Sequence, residues 1–304
     1  MSKPPDSAGR PWRRRLIRAA VATTVLAGLA TYAVIHYESG TPRPPHCTVA
    51  DRDGVRDGGE DGGPYRLKPA QAANAATIVA VGSVRELPER ATVIAVATAM
   101  QESSLFNIDY GDRDSLGLFQ QRPSMGWGTE AEIMDPVYSS GEFYDILVQV
   151  PDYLELPLTV AAQEVQRSAF PDEYAKHEPE ATLLAAALTG REAAAISCTP
   201  GSSELIPGEP DLVAEELAYD FVGTVEPRVD GTSVRVAVPE GADAPRGWEV
   251  SHWAVTHALE LGISRIEFDG RVWSAERAGD GWTETGDEDA DGAASGEVLL
   301  TVSE

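Results

Sequence analysis

The segment AMQESSLFNIDYGDRDSLGLFQQRP, Ala99 to Pro123, places a glutamate near the end of an almost wholly apolar run. Pro88 to Ser104 predicts a helix with scarcely a polar face, and a helix that is apolar all round belongs in the middle of a domain. Glu102 then lies in the last helical turn, where the helix dipole and burial both raise the pKa of a carboxyl. A carboxyl in an electrostatically unfavourable position can indicate a functional role. A single glutamate at a helix end is, however, more often a partly exposed surface residue.

Helical patterns around this segment define a predicted domain at residues 67–198. The further helices are predicted at Lys68–Val81, Ser139–Val150, Leu158–Arg167 and Glu178–Leu188. Between Ile108 and Gln121 the pattern is short and punctuated by glycine, which predicts a small β-hairpin or an irregular loop. The predicted fold class is therefore α+β, with a mainly helical domain and a minor β element.

A small α+β domain is predicted at residues 210–304, after a linker at residues 199–209. Its helices are predicted at Asp211–Phe221 and Trp248–Leu261, and its strands in TSVRVAVP, ISRIEFDGRVWSA and EVLLTVSE. Asp269-Gly270 is typical of a hairpin turn. The four tryptophans of this region build either a core or a ligand surface: Trp248, Trp253, Trp273 and Trp282.

An acidic loop in the same region, DEDADGAASGEV, resembles a calcium-binding loop only in part. Asp287, Asp289, Asp291 and Gly292 have EF-hand spacing, but the final ligand position falls on Val298. A solvated hairpin tip is the favoured interpretation, and no metal is expected.

Charge is divided unevenly along the chain, whose formal total is −25. The first 18 residues carry six basic residues against one acidic residue, a local charge of +5, which leaves −30 for the rest of the chain. Phosphate partners demand a surplus of Lys and Arg, so a nucleic-acid partner is excluded.

The N-terminal pattern predicts export. A basic cytoplasmic tail at residues 1–15 precedes an apolar run at residues 16–37, which predicts a transmembrane anchor in the cytoplasmic membrane with the body outside the cytoplasm. The alternative is a secretory signal peptide cleaved near Ala30–Ala33. Residues 38–66 are rich in Pro, Gly and Asp and predict a linker.

The two cysteines agree with an oxidising compartment. Cys47 and Cys198 are most simply a disulfide, although two unrelated buried thiols remain an alternative. In the chain-entropy model, closing a loop of this length stabilises the fold by roughly 5 kcal/mol.

Two motifs in the opening segment resemble the paired signatures of the soluble lytic transglycosylase and goose-type lysozyme families. QESSLFN supplies a glutamate-serine pair at the end of a buried helix, and SLGLFQQRP supplies a "GLMQ"-like segment about a dozen residues later. Residue by residue, Glu102 and Ser103 match the pair, and Gly117 to Gln120 match the second motif, with Phe119 in place of methionine. The resemblance covers Pro88–Pro123 tightly and residues 67–198 loosely, and it implies a lysozyme-like fold.

The resemblance implies cleavage of the β-1,4 bond between N-acetylmuramic acid and N-acetylglucosamine in peptidoglycan glycan strands. Glu102 would be the general acid and then the base, a role that its raised pKa suits. Ser103 and Gln120 would hydrogen-bond the glycan or hold Glu102, and Tyr110 would line the cleft. In the transglycosylases the substrate's own groups complete the reaction, so neither a cofactor nor a second carboxylate is required.

The chain departs from the family pattern at the later tyrosine-asparagine motif. The corresponding region reads AAQEVQRSAFPDEYAKHEPEA, in which Gln166 takes the asparagine's position and Tyr174 a cleft-lining one. A hydrolase would need a second carboxylate, and Asp109, Asp112 and Asp114 lie in the intervening loop, where DYGDRD otherwise reads as a turn.

Three functions are compatible with these patterns. The leading one is an enzyme that acts on peptidoglycan, with lytic transglycosylase ahead of muramidase. The second is a wall-binding or scaffold protein that keeps the lysozyme-like fold without turnover. In the third, the C-terminal domain carries the main role and binds a protein partner in the cell envelope.

Overall fold

The computed structural model describes residues 11–40, 44–50, 64–167, 173–238, 244–286, 293–294 and 296–304. The chain divides into two compact units, Met1–Arg43 and Pro44–Glu304. The acidic residues of the calcium-like loop, 287–292, lie outside the described residues.

The described residues of the first unit form the helix α1, Pro11–Gly40. The transmembrane anchor predicted at residues 16–37 is wrong, because no helix in the described ranges is both long enough and apolar enough to cross a membrane. Polar and small residues dilute the apolar content of α1. The hydroxyls of Thr23, Thr24 and Thr31, for example, donate to the carbonyls four residues earlier in the helix.

The second unit contains the helices that surround the opening segment. They are α2 (Pro69–Val84), α3 (Glu89–Ser103), α4 (Glu130–Ile133), α5 (Pro136–Leu147), α6 (Leu158–Gln166) and α7 (Glu178–Leu188). Short 3-10 helices occur at Pro123–Met125 and Glu173–His177. Every residue of α3 from Ala91 to Met100 is buried, so α3 is the central helix that its composition predicts.

The hairpin predicted between Ile108 and Gln121 is reduced to one isolated antiparallel bridge, Leu116 to Gln121. The rest of this segment consists of turns, so it is the irregular loop that was the alternative.

A three-stranded antiparallel sheet joins residues that are far apart in sequence. Its strands are β1 (His46–Val49), β2 (Tyr65–Leu67) and β3 (Ile196–Thr199), in the order β2-β1-β3. Cys47 lies directly opposite Cys198 across β1 and β3, and the predicted disulfide between them is confirmed. The segment predicted as a linker at residues 38–66 thus contains β1 and most of β2. A local composition dense in Pro and Gly does not reveal them, because the central strand β1 pairs with β3 about 150 residues away.

The C-terminal part forms a six-stranded antiparallel sheet in the order β4-β5-β9-β6-β7-β8. The helices of this part are α8 (Pro210–Asp220) and α9 (Ala244–Leu261). The strands are β4 (Pro227–Asp230), β5 (Ser233–Ala237), β6 (Ile263–Phe268), β7 (Arg271–Ser274), β8 (Thr283–Glu284) and β9 (Glu297–Val302). The turn between β6 and β7 is the predicted Asp269-Gly270 pair, and both residues have positive φ.

Helix α9 packs against the six-stranded sheet on one side and against α2 and α7 on the other. All four tryptophans are buried here. They therefore belong to the core and do not form a ligand-binding surface. Two of the indole groups donate within the core: Trp253 Nε1 donates to Asp220 at 2.7 Å, and Trp282 Nε1 donates to the carbonyl of Ile196 at 3.0 Å. The predicted domains at residues 67–198 and 210–304 thus pack together within one compact unit.

Glu249 on α9 is buried beside Arg246, whose Nη1 lies 2.8 Å from its carboxylate. Burial raises the pKa of Glu249 to about 7 and outweighs the attraction of Arg246. Because the unfolded chain releases this proton near pH 4.5, the free energy of unfolding is expected to fall as the pH rises from about 4.5 to about 7. At about 1.4 kcal/mol per pKa unit, the loss is on the order of 3 kcal/mol.

Urea denaturation across this pH range measures the effect. A Glu249→Gln variant is expected to lose the part of this dependence that Glu249 contributes, whereas the exposed control Glu215→Gln retains it. The same slope in wild type and Glu249→Gln would assign the pH dependence to another group.

Candidate active site

Three of the residues predicted for the site meet at one carboxylate. Glu102 lies at the end of α3, and its Oε1 accepts a hydrogen bond of 2.6 Å from the hydroxyl of Tyr174. The side chain of Gln166, at the end of α6, also hydrogen-bonds this carboxylate. The sequence places these residues 64 and 72 positions after Glu102, and the packing of α3 against α6 and the 3-10 helix Glu173–His177 brings them together.

Electrostatics favour the protonated form of Glu102. Burial raises the pKa of its carboxyl, and this effect exceeds that of the hydrogen bonds from Tyr174 and Gln166, which lower the pKa. The arrangement is that of a positioned acid that keeps its proton above the usual pH range of a glutamic acid.

The two motifs are joined directly by hydrogen bonds. Ser103 Oγ donates to the carbonyl of Leu118 at 2.8 Å, and Gln166 Nε2 donates to the carbonyl of Phe119 at 2.7 Å. Phe119 in turn stacks on Phe143 of α5, with ring centroids 4.7 Å apart. Ser103 and Gln166 therefore fix the position of the GLFQ segment relative to Glu102, and Ser103 does so from inside the core.

The backbone is strained immediately after the glutamate. Ser104 and Leu105 have φ values of 55° and 61°, in the left-handed region that costs a residue other than glycine about 1 kcal/mol or more. Two amide side chains of α2 hold this turn: Gln71 Nε2 donates to the Ser104 carbonyl and Asn74 Nδ2 to the Leu105 carbonyl, each at 2.8 Å. Strain that is held by several neighbours is typical of functional sites.

Gln120 and Tyr110 lie on the loop and are not bonded to Glu102 within the described residues. Gln120 Nε2 donates to the carbonyls of Tyr110 and Gly117, both at 3.3 Å, so this side chain closes the loop on itself. Tyr110 is 69% exposed and lines a groove of about 700 Å³ together with Ser103 and Asn107. Glycan binding by Gln120 and cleft lining by Tyr110 remain predictions.

The three aspartates of the loop are engaged in it or face solvent. Asp114 accepts from Arg122 Nε at 2.7 Å and from the backbone of Ser124 at 2.8 Å, and these hydrogen bonds hold its pKa well below its usual range. Asp109 is exposed, and Asp112 is exposed beside Arg113. Their geometry is that of a turn, as DYGDRD predicts.

A second link between α3 and the 3-10 helix is made by His177, which no sequence motif singles out. His177 Nε2 lies 3.1 Å from Gln101 Oε1, so the residue before Glu102 is tied to the element that carries Tyr174. Burial lowers the pKa of His177. Glu178 ion-pairs with Arg90 at 2.5 Å. The only local signal for these contacts is a polar residue, Gln101, at the end of an apolar helix.

The similarity to a known protein family lies in a different part of the chain from the Glu102 site. The family described as "VldE, C-terminal domain" matches residues 219–294, which run from the end of α8 into the segment before β9. The match spans 76 of the 304 residues and leaves out every residue of the Glu102 site. No curated protein matches the chain.

Proposed function

We propose that this protein cleaves peptidoglycan glycan strands, with Glu102 as the general acid and base. The observation that carries the proposal is the half-buried carboxyl of Glu102, which accepts a hydrogen bond from Tyr174 beside Gln166, while Gln166 donates to the Phe119 carbonyl of the second motif. The resemblance of QESSLFN and GLFQ to lytic transglycosylase and goose-type lysozyme signatures supplies the substrate class.

The geometry supports a defined sequence of proton transfers. Protonated Glu102 gives its proton to the glycosidic oxygen, and the bond from C1 of N-acetylmuramic acid to that oxygen breaks. The carboxylate then takes the proton of the 6-hydroxyl of the same sugar while that oxygen bonds to C1. The products are a free 4-hydroxyl on the leaving sugar and a 1,6-anhydro end. The hydrogen bonds from Tyr174 and Gln166 stabilise the carboxylate that exists between the two transfers.

The transglycosylase route is favoured over hydrolysis by the contacts of the loop aspartates. Asp114 is held by Arg122 and Ser124, and Asp109 and Asp112 face solvent, so within the described residues no carboxylate shares a hydrogen bond with the Glu102 group. A route that uses the substrate's own hydroxyl needs no such partner.

Digestion of purified cell-wall sacculi by the wild-type protein tests the proposal. Mass spectrometry of the released muropeptides is expected to show 1,6-anhydro ends, which are 18 mass units lighter than reducing ends because one water is missing. Reducing ends would replace the transglycosylase route by hydrolysis, and intact sacculi would overturn the enzymatic function.

Replacing Tyr174 by phenylalanine is expected to change the pH profile of cleavage. The hydroxyl of Tyr174 lowers the pKa of Glu102, so its removal raises that pKa further. Because the acid must be protonated, activity falls as the pH rises through this pKa, and the alkaline limb of kcat/KM is expected to shift to higher pH in Tyr174→Phe. The exposed Tyr219→Phe serves as the control, and coincident alkaline limbs in all three proteins would separate Tyr174 from the titrating group.

The disulfide supports a location outside the cytoplasm. A bridge between Cys47 and Cys198 forms and persists in an oxidising compartment, and peptidoglycan lies in such a compartment.

A further inference from the structure

An apolar groove of about 790 Å³ lies next to the turn that follows Glu102. Its walls come from the ends of β1 and β2, the first turn of α2, the last turns of α9, and Phe106. Pro45, Leu67, Phe106 and Leu259 supply its apolar surface. Phe106 also lines the 700 Å³ groove that contains Ser103, so the two depressions meet at this ring.

The charges in this groove are opposite to those of the molecule as a whole. Arg66 and Lys68 line it and are exposed, in a chain whose residues after the first 18 sum to −30. Lys68 Nζ lies 5.3 Å from the centre of the Phe106 ring. Within the described ranges, neither cation forms an ion pair with a carboxylate. One acidic residue, Glu260 of α9, also lines the groove.

We propose that this groove binds the peptide stem that peptidoglycan carries on its N-acetylmuramic acid residues. The stem is a short peptide with carboxylates, an amine on its diamino acid, and the methyl groups of its alanines. Arg66 and Lys68 pair with the carboxylates, Glu260 meets the amine, and Pro45, Leu67 and Leu259 cover the methyl groups. This inference rests on the proposed function for its substrate class.

The distance between the groove and Glu102 suits this occupant. Phe106 follows Glu102 by four residues, so their Cα atoms are separated by at most about 14 Å. A stem of four residues spans about 13 Å when extended. The stem begins on the same sugar whose C1 bond Glu102 breaks, so it reaches the groove while that bond lies at the carboxyl. Cations at this point also offset the repulsion between an acidic body and an anionic wall.

Calorimetric titration of L-Ala-γ-D-Glu-L-Lys-D-Ala into the full-length Glu102→Gln protein tests the groove without any cleavage. The double charge reversal Arg66→Glu with Lys68→Glu is expected to raise the Kd at least tenfold. The matched reversal Arg228→Glu with Arg277→Glu, on exposed arginines of the C-terminal part, is expected to leave the Kd unchanged. Absence of binding, or equal Kd values in the two double variants, would overturn the proposal.

Other occupants give different results in the same series. Concentration-dependent dimers that only the Arg66/Lys68 reversal abolishes, without peptide binding, would identify the groove as an interface between two copies of the chain. Tighter binding of a glycerol-phosphate oligomer than of the peptide would identify a site for anionic wall polymers. Either result overturns peptide-stem recognition.

Cleavage rates on intact and stem-free glycan strands separate this proposal from the proposed function. With an otherwise wild-type chain, the ratio of the rate on intact strands to the rate on stem-free strands is expected to fall at least tenfold in the Arg66/Lys68 reversal. An unchanged ratio would refute the stem site while glycan cleavage stands. Absence of cleavage of both substrates would refute the enzymatic function, and the titration with the free peptide would still decide the groove.

Discussion

Replacement of Glu102 by glutamine is expected to reduce glycan cleavage by roughly a thousandfold, within the 10²–10⁴ range that a positioned general acid contributes. The amide has no acidic proton to give to the glycosidic oxygen. Its carbonyl oxygen still accepts the hydrogen bond that Tyr174 gives to Oε1, so the local geometry is preserved. Release of soluble muropeptides from sacculi, measured over time at several protein concentrations, gives the ratio.

Stability measurements distinguish loss of chemistry from loss of fold in this variant. Burial disfavours the ionised carboxyl, so the free energy of unfolding of Glu102→Gln is expected to equal or exceed that of wild type. Glu164→Gln, an exposed exchange of the same kind on α6, is expected to leave both rate and stability unchanged. Wild-type rates in Glu102→Gln would remove the catalytic assignment.

Removal of the disulfide is expected to have the largest effect on stability. Cys47 and Cys198 are fully buried and 151 positions apart, and the chain-entropy model gives roughly 5 kcal/mol for a loop of this length. In a chain of this size, that loss corresponds to a fall in Tm on the order of 10 °C. The variant Cys47→Ala with Cys198→Ala leaves no buried polar group behind, so the loss reflects the missing cross-link and the lost sulfur contacts.

Guanidinium denaturation with and without reductant provides the internal control. Wild type is expected to lose stability when reduced, whereas the double alanine variant is expected to be insensitive to reductant. A loss below about 1 kcal/mol would show that the pairing of β1 with β3 holds these ends together without the bridge.

Both the helical part and the C-terminal part of the chain contribute residues to the walls of the apolar groove. Ala70 of α2 and Phe106, which follows α3, line both the apolar groove and the depression that contains Ser103. The region matched by the VldE C-terminal domain contributes Thr256, Leu259 and Glu260 of α9 to the groove wall. The C-terminal part is therefore structurally connected to the proposed stem site, and its sheet contributes to the core that positions α9.

Local sequence determined several of the elements of this protein. The helix at Glu178–Leu188 lies within its predicted bounds, and the turn at Asp269-Gly270 lies where the dipeptide predicts it, because helical periodicity and turn chemistry act over a few residues. Local composition also indicated that α3 is central and that Glu102 stands at its end. The disulfide followed from the count of two cysteines.

Only the tertiary structure decided which residues meet. The packing of α6 and the 3-10 helix against α3 brings Gln166 and Tyr174 to Glu102, and no local pattern encodes contacts over 64 and 72 residues. The same holds for β1, which pairs with β3 about 150 residues away and with β2 on its other edge. It holds also for the cations of the groove, whose neighbour Glu260 is almost 200 residues away. For the apolar run near the N-terminus, the local pattern led to a wrong prediction. The run is long enough to span a membrane, but it contains threonine, alanine and glycine in place of larger apolar side chains, so its hydropathy is too low.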